Sequence, residues 1–437
     1  MNTSHQPFAD FQRRTLDNGL QVFAQRSSTA PVVSLWVWYR VGTRNEHPGL
    51  TGVSHWVEHM LFKGTERWPS GRADQVISRE GGVYNGMTWQ DFTTYYETLP
   101  VDRLDLALDI ESDRMQNATF DEDVVNSERT VIISERQGHE NSPRFLLSEE
   151  VIGTAYRVHP YGHETIGHLC DLEAMTGEDL HHHYATYYAP NNAIIAVAGD
   201  LSPEVMLDRV AEAFEPIPRG PSTPPVHMVE PPQRGERRMQ VNGAGQTDYV
   251  QLAYHIPEAA HEDFHALTVL NAILSGGSGF IVGRGHITNY TSRLYGALVE
   301  TELAINVHGS LAPTVDPGLY VLMATVWPGR THANVEDRLS EEIKRLHREQ
   351  VSQKSIDKAK RQAKALFAFS SESISHQAFW LGFSSIFADT EWLTSYLTMI
   401  ERVTPEDIQR VAQTYLTSGN RTTGWYLAQT QQRQEPV

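Results

Sequence analysis

The sequence predicts an α+β protein assembled from two duplicated halves, and three observations carry that expectation. Strand-type and helix-type segments interleave along 437 residues, a length that calls for more than one core. The segment MTGEDLHHHYATYYAPNN (175–192) returns as VTPEDIQRVAQTYLTSGN (403–420). Thr176, Glu178, Asp179, Tyr187 and Asn192 match Thr404, Glu406, Asp407, Tyr415 and Asn420 at one offset of 228. Between the copies, residues 216–235 hold seven prolines, which forbid regular helix or central strand and mark a linker. The expected division is residues 1–215, a linker at 216–235, and residues 236–437.

The elements follow in order. Residues 12–39 read as a hairpin of strands, Leu20–Ala24 after an Asp17-Asn18-Gly19 turn signal and Val32–Tyr39 rich in β-branched and aromatic residues. Ser54–Thr65 reads as a helix, and a further helix is expected from Gly71 to Glu80. Residues 81–99 suggest a strand pair, from a glycine start and Thr, Tyr and Phe content. Residues 101–117 have helical apolar spacing, and a second helical stretch covers about 121–138. After the linker come a strand at Tyr249–Ile256, an apolar helix at Phe264–Leu274 and a glycine-rich loop at 275–285. A strand at Val321–Trp327 and helices at 336–349, 354–388 and 390–402 complete the reading. In each repeat copy Thr is a good helix N-cap with acids in the first turn, near the positive end of the helix dipole.

Composition bounds the function. A formal net charge of −18 argues against a nucleic-acid partner, whose phosphates would be repelled. The opening residues carry no apolar run of signal-peptide length, and no stretch is long enough for membrane insertion. One cysteine, Cys170, excludes an internal disulfide framework and a multi-cysteine zinc site, so a cytoplasmic location is expected.

The chemistry concentrates in SHWVEHMLFKGT (54–65). His55, Glu58 and His59 stand in the order H-x-x-E-H, which places all three on one helical face. Two imidazoles one turn apart suit a tetrahedral metal such as zinc, and the intervening carboxylate can take a proton from a water the metal activates. A catalytic zinc takes three protein ligands and keeps one position open. Glu135 is the expected third ligand, on a downstream helix, with Glu128 two turns before it supporting a ligand imidazole. Periodicity alone leaves Glu111, Asp113 and Glu122 open as alternatives. In the second half, aligning Leu61-Phe62-Lys63-Gly64 with Ile273-Leu274-Ser275-Gly276 puts Leu267, Leu270 and Asn271 at the positions of His55, Glu58 and His59. Only one half is then equipped for metal chemistry. His181, His182 and His183 are consecutive and splay around a helix, so they read as surface residues, and Cys170 reads as buried.

These residues resemble the insulinase/pitrilysin-type zinc peptidases, and within them the short, processing-peptidase-like members. His55 through Thr65 (HWVEHMLFKGT) is similar to that family's signature along its length. Glu128-Arg129-Thr130-Val131-Ile132-Ile133-Ser134-Glu135 resembles its E-R-x-V-x-x-x-E segment, with Glu135 76 residues after His59. The resemblance implies zinc, one Zn2+ per chain, held by His55, His59 and Glu135, with Glu128 in support and Glu58 as the base. Asn85-Gly86-Met87-Thr88 resembles the strand whose edge pairs with substrate backbone. The implied fold is two α+β halves, each a mostly antiparallel sheet covered by helices. Two departures matter. Val299 and Ile305 stand where self-sufficient members carry a substrate-gripping Arg and Tyr, and the 275–285 loop resembles one in non-catalytic processing-peptidase subunits. The implied activity is hydrolysis of extended or unfolded peptides by a catalytic subunit. A homologous partner in a heterodimer would supply the Arg and Tyr, a homodimer being the variant. The rival expectation is a structural, core-type subunit of a larger complex.

Overall fold

The computed structural model describes residues 8, 10–277 and 290–429. Of the glycine-rich loop, residues 278–285 lie outside the described residues. The first part of the chain runs β1 (Gln12–Thr15), β2 (Gln21–Arg26), β3 (Val32–Tyr39), α1 (Val53–Phe62), α2 (Arg72–Arg79), β4 (Val83–Thr88), β5 (Thr93–Pro100), α3 (Leu104–Asn117), α4 (Glu122–Glu140), α5 (Pro143–Ala155), α6 (Leu169–Ala174), α7 (Gly177–Tyr187), β6 (Ala193–Gly199) and α8 (Pro203–Phe214). Residues 215–236 then carry neither helix nor strand. The second part runs β7 (Arg237–Ala244), β8 (Tyr249–His255), α9 (Phe264–Leu274), β9 (Ala304–Leu311), β10 (Leu319–Val326), α10 (His332–Arg348), α11 (Gln353–Ser370), α12 (Ile374–Phe387), α13 (Thr390–Arg402), α14 (Pro405–Tyr415) and β11 (Arg421–Gln429).

The chain forms two compact units, and neither is a continuous stretch. The first comprises Met1–Arg136, His163–Met228 and Ser370–Thr394; the second comprises Gln137–Gly162, Val229–Phe369 and Ser395–Val437. The break at 228/229 falls within the proline-rich span. Two segments, however, leave the half that the sequence order assigns them. Helix α5 packs on the second sheet, and helix α12 packs on the first. The reason is burial: twelve of the fourteen residues of α12 (ISHQAFWLGFSSIF) are buried, and the first sheet supplies the cover.

Among the described residues the first sheet has the order β1-β2-β6-β3-β5-β4, and the second β7-β11-β8-β10-β9. The orders match once β1 is set aside. In each, the strand after the repeated segment lies parallel to the first common strand (β2 with β6, β7 with β11), and the remaining pairs are antiparallel. The predicted hairpin over 12–39 is corrected here. β1 and β2 form one around the Asp17-Asn18-Gly19 turn, but β6 separates β2 from β3. β6 reads AIIAVAG and is buried throughout, so it belongs in the sheet's interior with a neighbour on each side.

Both faces of β3 are covered. Trp36 and Trp38 point to α12, where they meet the Phe379 ring at 5.2 and 5.3 Å between centroids. Tyr39, on the opposite face, meets Tyr188 at 4.5 Å. A strand covered on both sides reads as a continuous apolar run rather than an alternation. In the second unit Leu147 and Val151 of α5 enter the core with Ala253 and Tyr426.

The repeat is a structural one. Thr176 caps α7 and Thr404 caps α14, each in a reciprocal box with the aspartate three residues on, Asp179 and Asp407. Asn192 Nδ2 donates to the Tyr187 carbonyl at 2.9 Å, and Asn420 Nδ2 to the Tyr415 carbonyl at 2.8 Å. Each also donates across to the residue ending the central strand region, Arg40 or His255.

Candidate metal centre

The motif helix α1 is short and begins at a glycine, Gly52, with φ of 87°. Its exposed N-terminal N–H groups are met by a carboxylate from the preceding loop. Glu46 accepts from the Gly52 N–H at 2.8 Å and the Ser54 N–H at 2.9 Å. From that start, His55, Glu58 and His59 project from one face, while Trp56, Val57, Met60 and Leu61 are buried. The Arg129 guanidinium lies 4.8 Å over the Trp56 ring and donates to the Leu172 and Met175 carbonyls at 2.5 and 2.8 Å. Arg136 donates to the Gly167 carbonyl at 2.6 Å. These ties fix α4 against α1.

The fixed helices bring Glu135 to the two histidines. Glu135 Oε2 lies 3.9 Å from His55 Nε2 and 3.6 Å from His59 Nε2. The three donor atoms fall within 4.8 Å of one another, and among the described residues they are the group of His, Cys, Asp and Glu that could hold a metal ion. Ligand atoms about 2.0–2.2 Å from a tetrahedral zinc stand about 3.3–3.6 Å apart, and the two Glu135 separations lie within a few tenths of an ångström of that range. The donor set, two imidazoles and a carboxylate, is also that of a zinc site with an open position. The residues fit the ion.

The carboxylates left open by periodicity are engaged elsewhere. Glu111 is fully buried against Arg114 at 2.9 Å, Asp113 accepts from Thr65 and from Asn117 at 2.7 Å, and Glu122 accepts from the Gly177 N–H at 3.2 Å.

Glu128 supports the site from below. Its Oε1 lies 2.9 Å from His59 Nδ1 and its Oε2 2.5 Å from Lys63 Nζ. Burial alone would raise the Glu128 carboxyl, but the bonds from His59 and Lys63 outweigh it and hold the group below its ordinary value. The His59 imidazole is drawn down by burial, yet the Glu128 bond and the Glu58 and Glu135 charges carry it above its ordinary value. A bond from Nδ1–H to Glu128 leaves Nε2 for a metal. Burial raises the Glu58 carboxyl, opposed by the Thr88 hydroxyl, which donates to its Oε2 at 2.7 Å.

Asn85, Gly86, Met87 and Thr88 occupy β4, the outer strand of the first sheet, paired on one side with β5. The Gly86 N–H is taken by Asn85 Oδ1 at 2.9 Å, on the exposed side of the strand. Gly86 itself lies over the Phe62 ring, where an added Cβ would stand 3.0 Å from ring carbons.

Among the described residues the second half has no such triad. Leu267 and Leu270 are buried, and Asn271 Oδ1 accepts from Ser275 at 2.8 Å and Tyr320 at 3.1 Å. Gly64 and Gly276, aligned from sequence, both follow the helix with positive φ, 92° and 98°. Ile305 is 44% exposed on β9. Two sequence readings are corrected. His183 is buried, 3.2 Å from Ser54 Oγ, because its helix lies against α1, and Cys170 is exposed on the short helix α6. Sequence reasoning also missed Lys63, although four residues after His59 places it on the same helical face.

Duplicated α+β halves with one donor triad among the described residues define an asymmetric class, in which the first half carries the candidate metal ligands. Comparison with known proteins gives two matches along the chain, whose break falls before the repeated helix α7 rather than in the proline-rich span. The family model for the insulinase family (peptidase family M16) matches residues 21–168, and that for the peptidase M16 inactive domain matches residues 174–363. The zinc protease PqqE of Helicobacter pylori is 30% identical over 415 residues, 94% of this chain and 91% of that protein. The uncharacterized zinc protease YmxG of Bacillus subtilis is 28% identical over 367 residues, 83% of this chain and 85% of that protein. The crystal structure of a protease from Helicobacter pylori matches with a TM-score of 0.90 and 29% identity, over 96% of this chain and 99% of that one. The chain belongs to the insulinase family, peptidase family M16. Among the described residues no helix is long and apolar enough to cross a membrane.

Proposed function

We propose that the chain is a zinc metallopeptidase that hydrolyses extended or unfolded peptides. The observation that carries this reading is the convergence of His55 Nε2, His59 Nε2 and Glu135 Oε2, with Glu58 on the helical turn between the two histidines. His55, His59 and Glu135 hold the ion, which supplies Lewis acidity toward the scissile carbonyl and the attacking water. Glu128 fixes the His59 ring and tautomer through Nδ1. Glu58 takes the proton of the attacking water and passes it to the leaving amine. The outer edge of β4 near Asn85–Thr88 receives the substrate backbone as an added strand, its carbonyl replacing Asn85 Oδ1 on the Gly86 N–H.

The absence of Arg and Tyr at Val299 and Ile305 supports a further element: a homologous partner subunit contributes those groups in a heterodimer. The same two residues favour the second reading, a structural subunit without turnover. Peptide cleavage by the zinc-loaded chain, alone and with a homologous subunit, separates them, with Glu58→Gln and a chelator as controls. Cleavage abolished by both controls supports the peptidase reading. Full activity of the chain alone removes the partner, and an inert zinc-loaded complex supports the structural reading.

A further inference from the structure

The hairpin that ends in β4 and begins β5 carries two hydroxyls whose protons can point only one way. Thr88 and Thr93 are cross-strand partners at its turn, and both are buried. Thr93 Oγ1 lies 3.0 Å from the Val41 carbonyl oxygen, which has no proton to give, so Thr93 donates there. Its one proton is then committed, and in the 3.3 Å contact with Thr88 it offers only a lone pair. Thr88 Oγ1 lies closer to Glu58 Oε2, at 2.7 Å, and donates to it.

The turn that presents these hydroxyls is anchored on the segment Gly42–Arg44. The Thr43 and Arg44 N–H groups donate to the Trp89 and Gln90 carbonyls at 3.3 and 2.9 Å. Gly42 passes so near that a Cβ there would collide with the Trp89 carbonyl oxygen. The Glu58 carboxylate is therefore gripped by a rigid β-turn as well as by its own helix.

We infer that Thr88 is a positioning residue for the base: its hydroxyl holds one Glu58 oxygen so that the other faces the water in peptide hydrolysis. This deepens the peptidase reading and rests on it. A hydroxyl with a merely structural task would affect folding or metal retention instead. The protein itself offers the contrast, since Thr88→Ser keeps the donor and Thr88→Val removes it at nearly constant shape.

The test uses the full zinc-loaded chain and a peptidyl hydroxamate, whose hydroxyl proton the base accepts on binding. Its affinity is measured by calorimetry, zinc affinity by chelator competition, and kcat and KM on a peptide. Thr88→Val is expected to bind the hydroxamate about tenfold more weakly and to lose about tenfold in kcat, with KM and zinc affinity unchanged. Thr88→Ser restores both values to within about twofold of wild type. An unaltered hydroxamate affinity in Thr88→Val, no rescue by serine, or loss of zinc overturns the inference. Should Thr88→Val not fold, Thr88→Ala takes its place with the same expected losses, and Thr93→Val, which leaves the Thr88 donor on Glu58, is the control for direction. Hydroxamate affinity of that control is expected to stay within about twofold of wild type, and a tenfold loss refutes the direction of the chain. A wild type that binds zinc and hydroxamate yet cleaves nothing, both alone and with a homologous subunit, sinks the peptidase reading, while the hydroxamate measurements still judge Thr88.

Discussion

Replacing Glu128 by glutamine tests how the site holds its second histidine. The carboxylate now meets two donors with two oxygens, His59 Nδ1 at 2.9 Å and Lys63 Nζ at 2.5 Å, and is 5% exposed. A glutamine has one acceptor oxygen. If that oxygen stays on His59, the amide NH2 faces the Lys63 ammonium, donor against donor. One charge-assisted bond is lost, about 1.5–3 kcal/mol, and a half-buried ammonium is left without its counter-charge. If that loss falls on the metal-competent arrangement, zinc affinity drops about 10- to 100-fold, the range typical of groups that orient a metal-bound imidazole. Lys63→Met removes the clash, so adding Glu128→Gln in that background is expected to cost at least about 1 kcal/mol less than it does alone. Chelator-competition titrations of the four proteins in this cycle measure the coupling, and melting temperatures without zinc show whether the fold is intact. A zinc affinity within twofold of wild type for Glu128→Gln, or strict additivity with Lys63→Met, would refute the reasoning.

Other outcomes follow from the same geometry. The Glu128 bond and the Glu58 and Glu135 charges favour a proton on His59, so zinc is expected to compete with it; calorimetry in buffers of differing ionisation enthalpy should show proton release, and affinity should weaken as pH falls. His183 is pushed down to about 3, by burial first and then by the His182 and His47 imidazoles. The unfolded chain therefore protonates first, and stability that is complete above about pH 6.5 declines as pH falls, by about 2 kcal/mol at pH 5. Unfolding titrations at pH 7 and pH 5 should show that loss, and His183→Asn should remove most of it. Thr176→Ala and Thr404→Ala should each cost about 1 kcal/mol in chemical denaturation, because the two caps are the same construction.

Much of this protein was legible because its signals are local. Spacings of three and four residues placed His55, Glu58 and His59 together, and a spacing of seven placed Glu128 with Glu135 on α4. The repeated Thr and Asp announced two identical helix starts. What escaped the reading depends on contacts between distant segments. β6 is an apolar run of seven residues, and nothing in its own composition says that it divides β2 from β3. His183 became a buried residue only when α7 met α1, and the Thr88 hydroxyl reaches Glu58 only through the register of a hairpin docked on Gly42. The choice among Glu111, Asp113, Glu122 and Glu135 likewise required the partners each acid had already found.

The exchange of helices has a consequence for how the chain is made. Synthesis delivers the metal-site residues within the first 135 positions, but the helix that covers Trp36 and Trp38 emerges only with residues 374–387. Until then the first sheet lacks the helix that covers its aromatic face, so its folding is expected to wait for residues 374–387. A fragment ending at Met228 would carry His55, His59 and Glu135, the candidate zinc ligands, and still lack a wall of its own core. Each half of the duplication thus holds the other's completion in its sequence. A chain truncated before residue 374 is expected to lose the packing behind the candidate metal site, although every candidate ligand is still present.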